Sequence, residues 1–433
     1  MLKDQYLLKQ HTPIIHFQHD QDGATLRATE VKPKLDKFLI EKFIEQGIEY
    51  KKWLIGKGEH AALNYKFRVI PILSQKIIIA NRMMGGKPRQ SKALSNAGFD
   101  CVEFSPYFAQ EKEFGELFAN KKYSENGKTV NSFSTVGDFD SRVKNLKTLG
   151  LFTTDDIKIT IFCFDRELKS KIYENLNGFF VSQNFGTRQS KGFGCFLPKG
   201  ISDQAIIDCI KDNYKIKGVF QIDNSSNYKE KLRKINEDYT ILKRGQNKPY
   251  IKSKLWEYFC VEGKMNWEKK VIKQHIKNNN IALFKEIKYD KSLPIHSTGH
   301  HIDSCNNENN NFYIRALLGL AEQYEFLKND GTRLKIKIED NLKYSGSEQS
   351  KAVDRFTSPM RYFISDSSIF ITTTEIPDEL INYIDLNNKS TPRKFRFTIN
   401  EAGVTSPGAL PIPANFDLEA FLAAQPGYGN NLK

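Results

Sequence analysis

The sequence has no run of apolar residues long enough to cross a membrane. A membrane helix needs about 18 consecutive apolar residues, and no window of the 433 residues approaches that. The first ten residues, MLKDQYLLKQ, also lack the apolar core and cleavage site of a signal peptide. We therefore expect no membrane partner and a cytoplasmic location.

Cysteine is scarce, and the six cysteines include no CxxC pair. Paired zinc-ribbon ligands are therefore excluded, and reduced, packed thiols are the natural interpretation. The GxxxxGK[ST] pattern of nucleotide-binding P-loops is also absent. We expect no cofactor.

A zinc site is the alternative for one histidine-rich segment, IHSTGHHIDSC. Its donors suit zinc, but no second cluster completes a recognisable pattern, and a polar loop with adventitious donors is the favoured interpretation. We expect no metal there. The four donors are His296, His300, His301 and Cys305.

Basic residues dominate the charge of the chain. Lysine and arginine number 65 against 51 acidic residues, which gives a net charge of +14. A field of that sign attracts polyanions. Nucleic acid or an acidic partner is therefore indicated, although charge alone does not decide between them.

The patterns of apolar residues predict an α+β fold. QYLLKQHTPIIHFQ predicts a strand, LRATEVKPKLDKFLIEKFIEQ a helix whose start Thr29 caps, and residues 65–73 and 76–84 a strand pair. DIKITIFCFD then predicts a strand and RELKSKIYENLNGFFVS an amphipathic helix, before a glycine-rich turn enters another strand. This last segment, residues 156–196, is typical of a βαβ half of a ferredoxin-like domain.

The length and composition predict two domains and a tail. A chain of 433 residues with 39% hydrophobic content can bury two cores. We expect a first domain over residues 1–212, a second over 213–400 with a lysine-rich helical insertion, and a flexible tail over 401–433, where small residues and prolines are frequent.

The glycine-rich turn FGTRQSKGFGCF is the segment with the clearest chemistry. It places three glycines around Arg188, Ser190 and Lys191. Glycine lets backbone amides approach a phosphate, and the cations neutralise its charge. A tight turn with solvated charges is the alternative. The glycines are Gly186, Gly192 and Gly194.

At these residues the chain resembles the RAMP superfamily of CRISPR proteins, whose ferredoxin-like domains carry a basic, glycine-rich loop between the last helix and strand. TPIIHF followed by LRATEVKPKLDKF looks like the first strand and helix start of that family. With NFYIRALLGL and RFTSPMRYFI, the order is most similar to the subunit that caps the head of type III-B (Cmr) effector complexes. The chain departs from the family at Ala28, where glycine is usual, and at Pro33, where a small residue is usual.

The resemblance implies tandem ferredoxin-like (RRM-like) RAMP domains that bind RNA in antiviral defence. The implied partners are guide RNA (crRNA), held at its 3′ part, target RNA and other RAMP subunits. Phe193 and Tyr362 would stack on unpaired bases, and each implied cation could instead be an ordinary surface charge. The residues implied to bind RNA are Arg27, Lys32, Gly186, Arg188, Ser190, Lys191, Gly192, Gly194, Arg355 and Arg361.

Ribonuclease activity is the alternative function, although we expect no catalytic residue. His16 could act as a general base towards an RNA 2′-hydroxyl, but His16 and His19 would point to opposite faces of a strand. Asp20 and Asp22 follow the first strand, where the target-cutting subunits of type III complexes carry an aspartate. Turn formation by HDQDG is the favoured explanation of both residues. A third possibility is a basic RNA-binding protein outside CRISPR systems.

Overall fold

The computed structural model describes helices and mostly antiparallel strands in several small sheets, which confirms the predicted α+β class. Among the described residues, no helix combines the length and the apolarity that a membrane span requires. The structure describes residues 5–15, 26–56, 58, 61–70, 72–80, 100–104, 121–125, 128–132, 150–247, 250–262, 265–288, 310–321, 323–344, 351–354, 356–399 and 408–433.

The secondary structure elements are numbered in chain order. The strands are β1 (Gln5–Gln10), β2 (Ile14–Ile15), β3 (Leu54–Ile55), β4 (Ala62–Leu63), β5 (Lys66–Val69), β6 (Gln75–Ala80), β7 (Asp100–Glu103), β8 (Lys121–Glu125), β9 (Lys128–Ser132), β10 (Gly150–Phe152), β11 (Ile157–Phe162), β12 (Phe196–Pro198), β13 (Ile216–Asp223), β14 (Gln246–Asn247), β15 (Tyr250–Ile251), β16 (Asn266–Trp267), β17 (Asn311–Phe312), β18 (Gln323–Leu327), β19 (Arg333–Asp340), β20 (Met360–Ile364), β21 (Ser368–Thr374), β22 (Asn382–Ile384), β23 (Ser390–Pro392), β24 (Lys394–Ile399) and β25 (Ala409–Pro411). The α-helices are α1 (Ala28–Glu45), α2 (Arg166–Ser182), α3 (Asp203–Lys211), α4 (Tyr228–Lys243), α5 (Lys254–Trp256), α6 (Glu268–Asn279), α7 (Ile281–Glu286), α8 (Asp378–Ile381) and α9 (Leu418–Ala423). Short 3₁₀ helices span Lys51–Trp53, Ile314–Leu318 and Asn341–Tyr344, and a π-helix spans Glu257–Glu262.

The chain divides into two compact units. The first unit comprises Met1–Asn236, Arg361–Ile371 and Leu432–Lys433, and the second comprises Glu237–Met360 and Thr372–Asn431. Each unit is therefore built from separate stretches of the chain. The domain boundaries expected after residues 212 and 400 stay predictions.

The main sheet of the first unit contains four strands in the order β12-β1-β11-β5. Every neighbouring pair in it is antiparallel. Along the chain these strands alternate with two helices in the sequence β1, α1, β5, β11, α2, β12. β1 therefore lies between the two strands that α2 connects.

Apolar side chains of α1 and α2 form the core of this sheet. In α1 the buried Val31, Leu35, Leu39 and Phe43 recur every four residues, which places them on one helical face. The helix α2 begins at a capping aspartate, since the side chain of Asp165 accepts a hydrogen bond from the amide of Leu168 at 2.8 Å. The hydrophobic periodicity of both helices was visible in the sequence.

The start of α1 differs from the prediction. The helix begins at Ala28, and its N-cap residue is Arg27, which makes no side-chain capping bond. Thr29 therefore lies inside the first turn and not at the cap. Pro33 lies within the helix, beyond the first turn that tolerates proline best.

The predicted strand pair of residues 65–73 and 76–84 does not form as a pair. β5 pairs with β11 in the main sheet, whereas β6 pairs with β10 and β7 in a second sheet of order β2-β10-β6-β7. Both strands exist, but their partners lie far along the chain. Local periodicity predicts a strand without specifying its neighbour.

A third sheet of the first unit has the order β13-β21-β20 and packs against α3. Its core includes Ile206 and Ile210 of α3, Val219 of β13, Phe363 and Phe370. The rings of Phe363 and Phe370 stack with centroids 5.0 Å apart. The hairpin of β20 and β21 thereby joins the first unit from a distant part of the sequence.

The second unit contains a four-stranded sheet of order β18-β19-β24-β25. In β19 and β24, buried and exposed residues alternate, which is typical of a sheet with one face in a core. Residues 408–433, within the predicted flexible tail, contain β25 and α9, and the α9 side chains of Leu418, Phe421 and Leu422 are buried. This part of the tail is therefore folded.

Candidate nucleic-acid interface

The glycine-rich loop, residues 185–195, connects α2 to β12 and packs along residues 11–15. The amide of Gly194 donates to the carbonyl of Pro13 at 2.9 Å, and the amide of Thr187 donates to the carbonyl of Ile15 at 2.9 Å. The loop closes on itself where the amide of Phe185 donates to the carbonyl of Gly194 at 2.9 Å. Backbone bonds therefore hold the loop in place on both sides.

The glycines of this loop allow close backbone packing. Gly194 has a φ of +67°, and a Cβ atom there would overlap the carbonyl of Phe185. Gly186 has a φ of +76°, and a Cβ atom there would lie 2.6 Å from the carbonyl oxygen of Ile15. Both positions are in the left-handed region, where a side chain is disfavoured.

The amides of the three glycines donate to groups of the protein. Gly186 donates to Oε1 of Glu30 at 2.8 Å, Gly192 to the carbonyl of Gln189 at 3.3 Å, and Gly194 to Pro13. The expected cradle of glycine amides for a phosphate is thus occupied by protein acceptors. Contact of RNA with Gly186, Gly192 and Gly194 stays a prediction.

The loop carries three half-buried polar residues that the sequence singled out, Arg188, Ser190 and Lys191. Arg188 adopts a left-handed φ of 57°, and its guanidinium carbon lies 5.3 Å from the centre of the Phe104 ring. Phe104 in turn packs edge-on against Phe193 at 4.8 Å. An aromatic face attracts a guanidinium, so this contact orients Arg188.

The loop is also anchored to β20. The amide of Tyr362 donates to the carbonyl of Ser190 at 3.3 Å. The side chain of Asn184 donates to the carbonyls of Gln189 at 2.6 Å and Tyr362 at 2.8 Å. Residues 188–191 therefore lie on a framework fixed at three places, and Nη2 of Arg188 and Nζ of Lys191 are buried there.

Thr187 was not singled out from the sequence. Its side-chain oxygen is buried and has no hydrogen-bond partner among the described residues. A buried hydroxyl without a partner costs about 1–3 kcal/mol, so such groups call for an explanation. Thr187 precedes Arg188, which places this hydroxyl beside the basic residues of the loop.

The first turn of α1 contacts the loop through Glu30. Oε1 of Glu30 accepts from the amide of Gly186 and, at 2.9 Å, from Nζ of Lys34. The carbonyl of Arg27 accepts from the amides of Glu30 and Val31 at 3.0 Å each. The structure thus brings the half-buried Arg27 into the neighbourhood of the glycine-rich loop.

Lys32 makes contacts within the protein. Its Nζ lies 2.6 Å from Oδ2 of Asp36 and 3.1 Å from the carbonyl oxygen of Leu63. The same ammonium lies 4.3 Å from the centre of the Tyr65 ring. The ammonium therefore has three partners within the protein. Its role as a phosphate contact stays a prediction.

Of three implied contacts on or near β20, one is half-buried and two are fully buried. Arg361 donates to the carbonyl of Ser182, and burial lowers the pKa of its guanidinium. Phe193 and Tyr362 are each 0% exposed. The expectation that these two rings stack on RNA bases is wrong for this conformation, because both rings lie in the core.

A polar cluster around the β20–β21 turn was not predicted. Nζ of the buried Lys231 donates to the carbonyls of Ser365 and Asp366 at 2.7 Å each. The carboxylate of Asp366 accepts from Lys9 at 2.7 Å and lies 3.6 Å from Nδ1 of His11. No local sequence signal connects these residues, since they come from three distant segments.

The buried position of His11 changes its acidity. The side chain is about 8% exposed, and burial lowers its pKa to about 4. Asp366 and Asp203 oppose that shift, while Lys9 and Lys231 add to it. His11 is therefore neutral at neutral pH.

Several predicted residues lie outside the described part of the chain. Within that part, no group of three or more histidine, cysteine, aspartate or glutamate residues could hold a metal ion. The residues outside it are His16, His19, Asp20, Asp22, His296, His300, His301, Cys305 and Arg355.

Two family models match the chain. The model of the Cmr1 N-terminal domain matches residues 1–246, and that of the Cmr1 C-terminal domain matches residues 250–433. The chain belongs to the Cmr1 family. No curated protein and no solved structure matches it.

Membership of the Cmr1 family confirms the resemblance to RAMP proteins of type III-B systems. A Cmr1 protein is a subunit of the multi-subunit Cmr complex of CRISPR systems. The glycine-rich loop that carried the resemblance lies within the match to the Cmr1 N-terminal domain.

We expect Gly194→Ala to destabilise the protein by about 3 kcal/mol or more, because the new Cβ would overlap the carbonyl of Phe185. Gly200→Ala is the control, since Gly200 has a φ of +75° but nothing within 4 Å of a Cβ. It should cost only about 1–2 kcal/mol. Urea unfolding measures both changes, and equal costs would contradict the packing role of Gly194.

We expect His11 to make folding less stable in acid. Because its folded pKa of about 4 lies below the unfolded value of about 6.5, the unfolded chain binds the proton first. The contribution of neutral His11 to the free energy of unfolding is complete above about pH 6.5. It decreases by at most about 3 kcal/mol as the pH falls to about 4. Urea unfolding across this range should show a shallower loss for His11→Asn than for the unsubstituted protein. Identical profiles would show that His11 does not titrate in this way.

Proposed function

We propose that this Cmr1-family chain binds the 3′ part of the guide RNA in a type III-B effector complex and helps to capture target RNA. It would do so in the cytoplasm, beside other RAMP subunits, as part of antiviral defence. Family membership supports the complex, and the net charge of +14 favours a polyanionic partner.

One observation carries the RNA-binding proposal. The glycine-rich loop presents Arg188 and Lys191 from a backbone held at both sides, next to the hydroxyl of Thr187, which lacks a partner among the described residues. Cations bind phosphate oxygens, and a hydroxyl can donate to one. The loop therefore offers RNA side-chain donors on a fixed framework.

We further propose that the fold consists of tandem ferredoxin-like domains. The first unit supports this, because its β-α-β-β-α-β order and its sheet order β12-β1-β11-β5 interleave two βαβ halves. The sheet of the second unit supplies the antiparallel strands that a second such domain would need. The proposed fold places the glycine-rich loop directly before the edge strand β12.

The RNA-binding proposal predicts a change in salt dependence. In Arg188→Gln/Lys191→Gln, the affinity for single-stranded guide RNA should fall about tenfold or more, because two phosphate contacts are lost. The slope of log affinity against log salt should become shallower by about 1.4 for the same reason. Fluorescence anisotropy over a salt series measures both quantities.

Lys51→Gln/Lys211→Gln is the matched control, because it removes the same charge from exposed positions of the first unit. It should keep the salt slope of the unsubstituted protein. If both double variants lose the same affinity and slope, net charge alone governs binding and the loop is not the site.

We also propose that the chain binds RNA without cutting it. Purified protein incubated with guide-precursor and target RNA, with and without Mg²⁺, should leave both RNAs at full length on a denaturing gel. Cleavage that His16→Ala or Asp20→Asn/Asp22→Asn abolishes would contradict this proposal and establish a ribonuclease. Cleavage that none of these changes affects, but that persists with the protein through repurification, would also contradict the proposal.

A further inference from the structure

A group of cations lies close together in the second unit. It consists of Lys243 at the end of α4, Lys269 and Lys273 on α6, and Arg315 in the 3₁₀ helix Ile314–Leu318. We call these four residues the basic cluster. They come from three elements, so no run of charges in the sequence marks them.

Glu268 and the ring of Trp267 connect two members of the basic cluster. Arg315 donates to the carboxylate of Glu268, which is 0% exposed and also accepts from the amide of Ile314 at 3.1 Å. The guanidinium of Arg315 lies 5.5 Å and Nζ of Lys269 lies 5.7 Å from the centre of the Trp267 ring. These two cations therefore lie near the same aromatic ring.

The other two cations are held by neighbouring groups. Nζ of Lys273 lies 5.4 Å from the centre of the Phe326 ring. Nζ of Lys243 donates to the carbonyl of Gly319 at 2.6 Å. The charges of Arg315 and Glu268 act on both Lys243 and Lys269, which places all of these groups around one region.

Three cations of the basic cluster lie close to Glu268. Arg315 donates to this carboxylate, and its charge acts on Lys243 and Lys269 within the described chain. Burial lowers the pKa of Lys243 and of Lys269 to about 7 and that of Lys273 to about 8. An anion in this region would favour the charged form of each lysine.

A second observation points to a ligand. Tyr324 is about 8% exposed, and its hydroxyl is buried without a hydrogen-bond partner among the described residues. The guanidinium of Arg315 lies 3.7 Å from the centre of the Tyr324 ring. The centres of the Tyr324 and Phe326 rings are 5.4 Å apart. The side chain of Tyr324 therefore lies against Arg315 of the basic cluster, and an oxyanion would accept a hydrogen bond from its hydroxyl.

The start of α6 adds to the positive field. Its N-cap residue, Trp267, supplies no side-chain hydrogen bond to the first turn. The N-terminal end of a 12-residue helix carries partial positive charge. Lys269 lies in this first turn beside Glu268, whose carboxylate already accepts from Arg315 and from the amide of Ile314.

We propose that the basic cluster and the hydroxyl of Tyr324 form a phosphate-binding site in the second unit. The phosphate could belong to the backbone of an RNA or be a free phosphate ion, since both present the same oxygens. The site does not depend on RNA binding at the glycine-rich loop, which lies in the first unit.

The test compares Lys269→Gln/Lys273→Gln with Lys277→Gln/Lys285→Gln. The control removes two exposed lysines from α6 and α7, so both variants lose the same charge. Inorganic phosphate is titrated calorimetrically into each full-length protein, and a short single-stranded RNA is titrated by fluorescence anisotropy. The first variant should bind the phosphate group about tenfold or more weakly, and the control should bind as the unsubstituted protein does.

Each outcome has a definite meaning. Loss of phosphate affinity with unchanged RNA affinity supports a site for free phosphate. Loss of RNA affinity, with or without measurable binding of inorganic phosphate, supports a site for an RNA phosphate. If the two double variants bind both ligands equally, the basic cluster is a packed part of the core and the proposal is overturned.

Tyr324→Phe is a second variant, which tests the site even if the double variant does not fold. Removing a buried hydroxyl that lacks a partner should leave the unliganded protein as stable or more stable, while phosphate affinity should fall several-fold. Unchanged affinity in this variant would remove the hydroxyl from the site and overturn that part of the proposal.

The pH dependence of binding provides an independent check. Sulfate is the probe, because its charge does not change in this range. Binding should weaken as the pH rises from about 6 to about 8.5, since Lys243, Lys269 and Lys273 lose protons there. The charged groups that face Lys243 and Lys269 are Arg244, Glu268, Lys273 and Arg315. Binding that is independent of pH would contradict a site built from these lysines.

Discussion

The close backbone contact between the glycine-rich loop and residues 11–15 is the constraint on which the first unit depends. The amides of Gly194 and Thr187 donate to the carbonyls of Pro13 and Ile15. Within the loop, Gly194 passes so near the carbonyl of Phe185 that a Cβ atom has no space. The strand β12 can therefore enter the sheet beside β1, and the loop stays at the edge of that sheet.

This packing changes how the loop can bind an anion. In a phosphate-binding nest, backbone amides point at the ligand. Here the amides of Gly186, Gly192 and Gly194 donate to Glu30, Gln189 and Pro13. Side chains must therefore provide the contacts. The glycines determine the shape of the loop, and Arg188 and Lys191 supply its charge.

Lysine has several different roles in this chain, which net charge alone does not distinguish. Lys231 is buried and holds the β20–β21 turn through two backbone carbonyls. Lys32 is tied to Asp36 and to the ring of Tyr65. Lys269 and Lys273 belong to the basic cluster and lie near the rings of Trp267 and Phe326. Only the surroundings of each ammonium decide whether it supports the fold or attracts an anion.

The sequence by itself determined the α+β class, β11, α2, the glycine-rich loop and the family, because periodicity and loop composition are local properties. The tertiary structure decided that β5 and β6 join different sheets, that the rings of Phe193 and Tyr362 are buried, and that His11 meets Asp366. It also assembled the basic cluster from α4, α6 and a 3₁₀ helix. These features depend on contacts between residues far apart in the chain. Such contacts arise from packing and long-range pairing, which a local pattern of residues does not encode.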